Sequence, residues 1–269
     1  MRRVILAFAI VGALSVSALA VPTWPAQNSD WNPVTVGGAV YVDATRDDAA
    51  DNYGTPPQKQ VDIVGGIDSA ANGPFAAGFW YTDATDLMFR LRTDGDPTQG
   101  GQFVWTTLLN TDADSDVDWA LQLDFSGDDQ VELVQAVSGG PGNNWDVVLA
   151  DPPHDVGYDA ADYSRVLSAA GAVNPPYGGS QFTGSGPVDD DYFVDLAIPR
   201  ADFTGETGWD FSGTLGVAFS TSSTHTLDNK DRPDYQSWGS GPRVPAPGAS
   251  LLAGLGIAVV GWLRRQRSL

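Results

Sequence analysis

Apolar and polar side chains alternate along a series of short stretches in the middle of this chain, each bounded by Gly, Pro, Asn or Asp. In residues 86–93, Leu87, Phe89 and Leu91 fall on one side, and Arg90 and Arg92 on the other. In residues 117–125, Val117, Trp119, Leu121 and Leu123 oppose Asp118, Gln122 and Asp124. Tyr192, Val194 and Leu196 line one side of residues 191–198, and Leu215, Val217 and Phe219 one side of residues 215–220. A period of two is the period of a β-strand. Residues 75–81, 103–109, 131–137 and 145–149 read as further strands. One apolar and one polar side per strand predicts antiparallel sheets that share one core, an all-β sandwich. Two pieces read as non-strand: a helix over residues 160–169, capped by Asp159, and a turn over residues 199–203. Residues 174–180 and 184–190 read as loops.

The pattern breaks at both ends. Arg2 and Arg3 precede an apolar stretch over residues 4–16, and Ala18-Leu19-Ala20 offers small residues where a signal peptidase cuts. Residues 1–20 therefore read as a secretory signal peptide, with the mature chain starting near Val21. Residues 249–263 are again apolar, shorter than the ~20 residues of a comfortable membrane span and interrupted by Gly254, Gly256 and Gly261. Arg264, Arg265 and Arg267 follow, and positive residues beside a span stay on the cytoplasmic side. A signal over 1–20, a sandwich over 21–238, a Gly-Ser-Gly-Pro-Arg linker over 239–243 and a membrane-directed tail over 244–269 complete the organisation.

Val244, Pro245, Ala246 and Pro247, the apolar run and the closing arginines together resemble the PEP-CTERM sorting signal of bacterial exported proteins. Ala246 stands where that family usually has Glu. The resemblance implies recognition by an exosortase-type processing enzyme, a membrane-held precursor, and a cell-surface or extracellular destination. A plain C-terminal membrane anchor is the alternative. The middle of the chain resembles secreted bacterial sandwiches of the DOMON-like and carbohydrate-binding-module type, on the Asp-Leu-Met-Phe-Arg-Leu-Arg-Thr-Asp-Gly-Asp-Pro of residues 86–97 and the Tyr-Phe-Val-Asp-Leu-Ala-Ile-Pro of residues 192–199. That resemblance implies a jelly-roll-like antiparallel sandwich that binds sugars or other ligands, and no catalysis.

Charge sharpens the picture once the ends are set aside. All 34 acidic residues but only nine of the 14 basic ones lie between the two targeting segments, a formal charge of −25. Such a surface repels nucleic acid and anionic lipid, and attracts divalent cations. The acids are almost all Asp, a turn former and oxygen ligand; Glu132 and Glu206 are the exceptions. The absence of cysteine excludes disulfides, thiolate metal sites and cysteine nucleophiles.

The densest local chemistry is the run over residues 110–118, where Asp112, Asp114 and Asp116 alternate in a hairpin loop. Alternating carboxylates converge on a hard cation such as Ca²⁺. Val117 and Leu123 occupy the Gly and Glu positions of an EF-hand counted from Asp112, so the loop is not one. The second reading is a solvated turn whose Asp side chains cap backbone N–H groups. Arg90 and Arg92 share a side: they pair with Asp195 or Asp124 on neighbouring strands, or form a ligand platform. Trp80, Trp105 and Trp119 read as core, whereas Trp145 and Trp238 either stack on sugar rings or pack beneath loops. His154 and His225 have no catalytic motif around them, and no phosphate-binding Gly loop or zinc helix occurs. The expectation is a non-catalytic, structural or adhesive protein of the cell surface or extracellular polysaccharide matrix. A carbohydrate-binding module and a polysaccharide hydrolase are the alternatives. Aromatics along an exposed sheet face would favour the first of these, and facing carboxylates in a cleft the second.

Overall fold

The computed structural model describes residues 21–41, 61, 63, 66–67, 74–93, 95–98, 103–114, 116–124, 130–138, 148–149, 156–168, 192–222 and 238–242. These form an all-β antiparallel sandwich. The smaller sheet runs, in spatial order, β1 (Asn32–Pro33), β6 (Gly78–Thr82), β7 (Asp86–Thr93), β14 (Tyr192–Pro199) and β13 (Ser164–Ser168). The larger runs β11 (Val148–Leu149), β10 (Gln130–Ser138), β9 (Trp119–Asp124), β8 (Val104–Asn110), β15 (Gly216–Ser222), β16 (Gly239–Ser240), β2 (Thr35–Val36) and β3 (Ala39–Val40), with β12 (Val156–Asp159) also on β10. A separate hairpin joins β4 (Gly66–Ile67) and β5 (Pro74–Phe75).

Register fixes which side of each strand faces inward. Gly78 of β6 lies opposite Leu91, and a Cβ there would overlap the ring of Phe219 on β15. The Leu87, Phe89, Leu91, Val194, Leu196 and Ile198 side of the small sheet therefore meets the Trp105, Leu121, Leu123, Val217 and Phe219 side of the large one. All of these residues are buried, and the expected apolar sides make the core, except for Val117, which precedes β9 and joins a second cluster on the other side of the large sheet.

The opposite sides depart from the alternation rule. Every residue of β7, β8 and β9 is buried, including Arg90, Arg92, Gln122 and Asp124. On the small sheet the reason is a strap: Trp24 and Trp31, from the N-terminal segment, lie against this outer side. On the large sheet, Leu108, Ala120, Val134 and Ala218 form a second apolar cluster with Val117, against which Trp238 packs. After the strap, the chain enters the small sheet as β1, turns at the fully buried Val34, and enters the large sheet as β2. Gly37 and Gly38 take left-handed φ values of 58° and 89° to close the β2–β3 hairpin.

Three local readings change. The expected helix over 160–169 is one turn, α1 (Ala160–Tyr163), capped as expected by Asp159, whose Oδ1 accepts from Ala161 N at 2.9 Å. The chain then extends into β13, because Arg165, Val166 and Leu167 find cross-strand partners on β14. The turn after Pro199 continues as α2 (Arg200–Thr207), stopped by Gly208 in the left-handed region. The Gly-Ser-Gly-Pro stretch with the composition of a linker contains a sheet strand, β16, and its Gly239, Gly241 and Pro242 are buried.

Candidate functional site

The acidic hairpin between β8 and β9 is built on Asn110, which is 1% exposed. Its Nδ2 donates to Asp114 O at 2.8 Å and its Oδ1 accepts from Ala113 N at 2.7 Å, holding Ala113 at a φ of 67°. Asp112 Oδ1 accepts from Asp114 N, and Asp114 Oδ1 from Asp116 N at 2.6 Å. Asp118 Oδ2 accepts from both Thr111 N and Thr111 Oγ1. Each carboxylate thus fixes the turn with one oxygen. Ligand oxygens of Asp112, Asp114 and Asp118 lie within 4.8 Å of one another, the only such group among the described residues. The structure brings Asp112 and Asp114 together as the spacing suggests, with Asp118 rather than Asp116 as third member. Ca²⁺ takes 6 to 8 oxygens, so these side chains supply a part-set that carbonyl or water oxygens would complete.

Arg90 lies beneath the N-terminal strap, and Arg92 follows it on the same side of β7. Arg90 Nε and Nη2 donate to Asp195 Oδ1 and Oδ2 at 2.6 and 2.8 Å, a bidentate pair. Arg165 Nε donates to Asp195 Oδ2 at 2.6 Å, and Arg165 Nη2 to Pro25 O at 3.2 Å. The Arg90 guanidinium sits 4.2 Å from the Trp31 ring centroid and 4.5 Å from that of Phe193. The Arg165 guanidinium lies 4.9 Å from the Trp24 ring, and Arg92 lies 6.0 Å from Phe193. The expected pairing of Arg90 with Asp195 is present, buried rather than exposed. Arg90 and Arg92 are 2% and 4% exposed, so a ligand platform on this side would first have to uncover them, at Arg90 by displacing the strap.

Acids and tyrosines gather at one end of the small sheet. Asp83 Oδ1 accepts from Thr85 N, Thr85 Oγ1 and Asp86 N in the β6–β7 turn. Burial pushes the Asp83 carboxyl up, but the backbone N–H groups of Asp86 and Thr85 outweigh it and hold it below its ordinary range. Burial raises Asp86, helped by the charge of Asp83 and opposed by a hydrogen bond from Thr85. Tyr158 donates to Asp202 Oδ2 at 2.6 Å and lies against Tyr163, with ring centroids 4.5 Å apart. Burial, the Asp202 bond and the Asp202 charge push its hydroxyl well above the ordinary tyrosine value. Asp83 and the Tyr158–Asp202 pair thus tie the turn and the sheet end together, whereas the buried Asp86 carboxylate is held at a cost.

Trp238 is half-buried immediately before β16, and a Cβ at Gly216 would lie 3.3 Å from its ring. Trp80 packs on the core, with Trp105 and Trp119 within it, as the alternation suggests. Among the described residues Val21 is the one large exposed hydrophobic, and no helix is long and apolar enough to cross a membrane. Trp145, Val244, Pro245, Ala246, Pro247, Arg264, Arg265 and Arg267 lie outside the described residues. Sequence reasoning passed over Trp24, Trp31 and Arg165, whose partners are distant in the chain. Asp118 was visible, but as a strand residue rather than a ligand. No family model, curated protein or solved structure matches the chain.

Proposed function

We propose that this chain is an exported precursor whose β-sandwich serves a structural or adhesive role at the cell surface or in the extracellular polysaccharide matrix. A signal peptidase removes residues 1–20, and the tail over residues 244–269 holds the precursor in the membrane for an exosortase-type enzyme. The sandwich acts without catalysis, and the Asp112 hairpin takes Ca²⁺ from the outside medium. The observation that carries the structural role over a sugar-binding one is the burial, among the described residues, of the outward sides of β7, β8 and β9. A binding module displays aromatics on such a face. Here Trp31 and Trp24 are used on arginines of the small sheet, and Trp238 is packed on the large one. Packed structure also reaches as close to the two signals as Pro22 and Pro242, both buried. The test is fractionation of the full-length chain with Arg264, Arg265 and Arg267 replaced by Gln. Loss of the precursor from the membrane fraction is expected, and unchanged fractionation would contradict the assigned topology.

A further inference from the structure

Three parts of the fold meet on β16. Gly239 and Ser240 pair with Val217 and Gly216 of β15, and Ser240 pairs with Thr35 of β2 on the other side. Among the described strands, β2 and β3 join the large sheet through β16. Gly239 packs against Val34, the corner where the N-terminal segment crosses between sheets. A Cβ there would overlap Val34 Cγ1 and sit 2.9 Å from the Val217 carbonyl oxygen. Gly241 is as tight: its N–H donates to Leu215 O at 2.8 Å, and an added Cβ would lie 3.0 Å from that oxygen. Pro242 is buried.

The Val-Pro-Ala-Pro segment starts at Val244, so Arg243 alone separates it from the buried Pro242. Enzymes that act on a peptide commonly bind it extended, with residues on each side of the target bond. With β16 docked, Gly239 and Ser240 are paired with β15 and β2 and Gly241 is bonded to Leu215, so these residues cannot enter such a cleft. On the other side, residues 243–248 precede the apolar run. Fully extended they reach about 20 Å, so a docked sandwich also crowds the bilayer face where the enzyme works.

We propose that β16 is a latch on tail processing: the precursor is cut when β16 is undocked, and a docked β16 protects the tail. The proposal rests on the reading of residues 244–269 as a processed sorting signal. In the reaction one peptide bond in or beside residues 244–247 breaks. Its acyl carbon passes to water or to an amine acceptor, and the new amine leaves with the tail. Undocking frees a two-residue strand while β8, β9, β10 and β15 stay paired and the base of the β2–β3 hairpin stays bonded to Ala77 and Gly78, the kind of local opening that precedes global unfolding. The cutting rate then follows the population of the open form.

The test uses the full-length chain in exosortase-bearing bacterial cells, with Thr35→Cys and Ser240→Cys introduced together. These residues are direct cross-strand partners, and the native chain has no cysteine to compete. Mass spectrometry follows tail loss in the cross-linked and the reduced variant, and a melting curve checks that the reduced one folds. The cross-linked chain is expected to keep its tail, with removal slowed at least about tenfold, and the reduced chain to be processed like wild type. Equal rates in both forms would overturn the latch. A flexible Gly/Ser spacer inserted after Pro242 is expected to speed removal, and an unchanged rate would also overturn it. Absence of tail loss from the wild-type chain would instead overturn the sorting reading, and the latch with it.

Discussion

Asp195 is fully buried and holds two guanidinium groups, those of Arg90 and Arg165, on the outer side of the small sheet. Removing one partner of a buried pair leaves the other charge without compensation, which costs about 3–5 kcal/mol. Asp195→Ala should lose stability of that order in urea unfolding, and more than Arg165→Ala, because Arg165 is 25% exposed and solvent screens it. A loss below about 1 kcal/mol for Asp195→Ala would contradict the arrangement. Asp86 gives a pH signature. Its folded-state carboxyl titrates above the ordinary 3.8, so the folded chain holds that proton more readily than the unfolded one. Stability from this group is therefore lost as pH rises through that window, and stays lost at neutral pH. Asp86→Asn should raise Tm relative to wild type at about pH 7, with the gain vanishing as pH falls below about 4. Asp83 runs the other way: its contribution is present above 3.8 and is lost as pH falls through its lowered folded value.

At the scale of elements, the β8–β9 hairpin is where the proposed Ca²⁺ and the backbone geometry meet. Added Ca²⁺ should raise the Tm of the wild-type protein by several degrees, and changing Asp112, Asp114 and Asp118 together to Asn should abolish that rise. At about 100 times the Kd the stabilisation amounts to about 2.7 kcal/mol. An equal shift in the variant would place the ion elsewhere, and no shift in the wild type would leave the acids as turn-capping groups. The strands of this region were legible because Leu87, Phe89 and Leu91, or Leu121 and Leu123, repeat with the period of the pleat and face one core. Burial of the other side was not legible. Arg90 is covered by Trp31 and Asp195, and no local pattern announces contacts 59 and 105 positions away. β16 failed for a related reason: Gly-Ser-Gly-Pro has the composition of a linker whether it is free or jammed against Val34. The same holds for β13, where Asp159 signals a helix start but the pairing of Val166 with Val194 ends it after one turn.

In the whole molecule the two ends of the domain come together. The segment over residues 21–31 straps the small sheet and leads to the turn at Val34, and the segment over residues 238–242 closes the large sheet against the same residue. The acidic sandwich, with its formal charge of −25, sits between an apolar leader and a basic-ended tail. That order, with packing that reaches Pro22 and Pro242, supports the proposed exported precursor trimmed at both ends. The two ends stand out in the sequence as compositional blocks, and the pairing of β16 does not, because it exists only once β15, β16 and β2 are in one sheet. The most direct measurement is the intact mass of the protein recovered from cells that export it. The account predicts a chain that begins near Val21 and ends in or beside residues 244–247, found outside the cytoplasm. A cytoplasmic chain with the full mass of 28.4 kDa would contradict it.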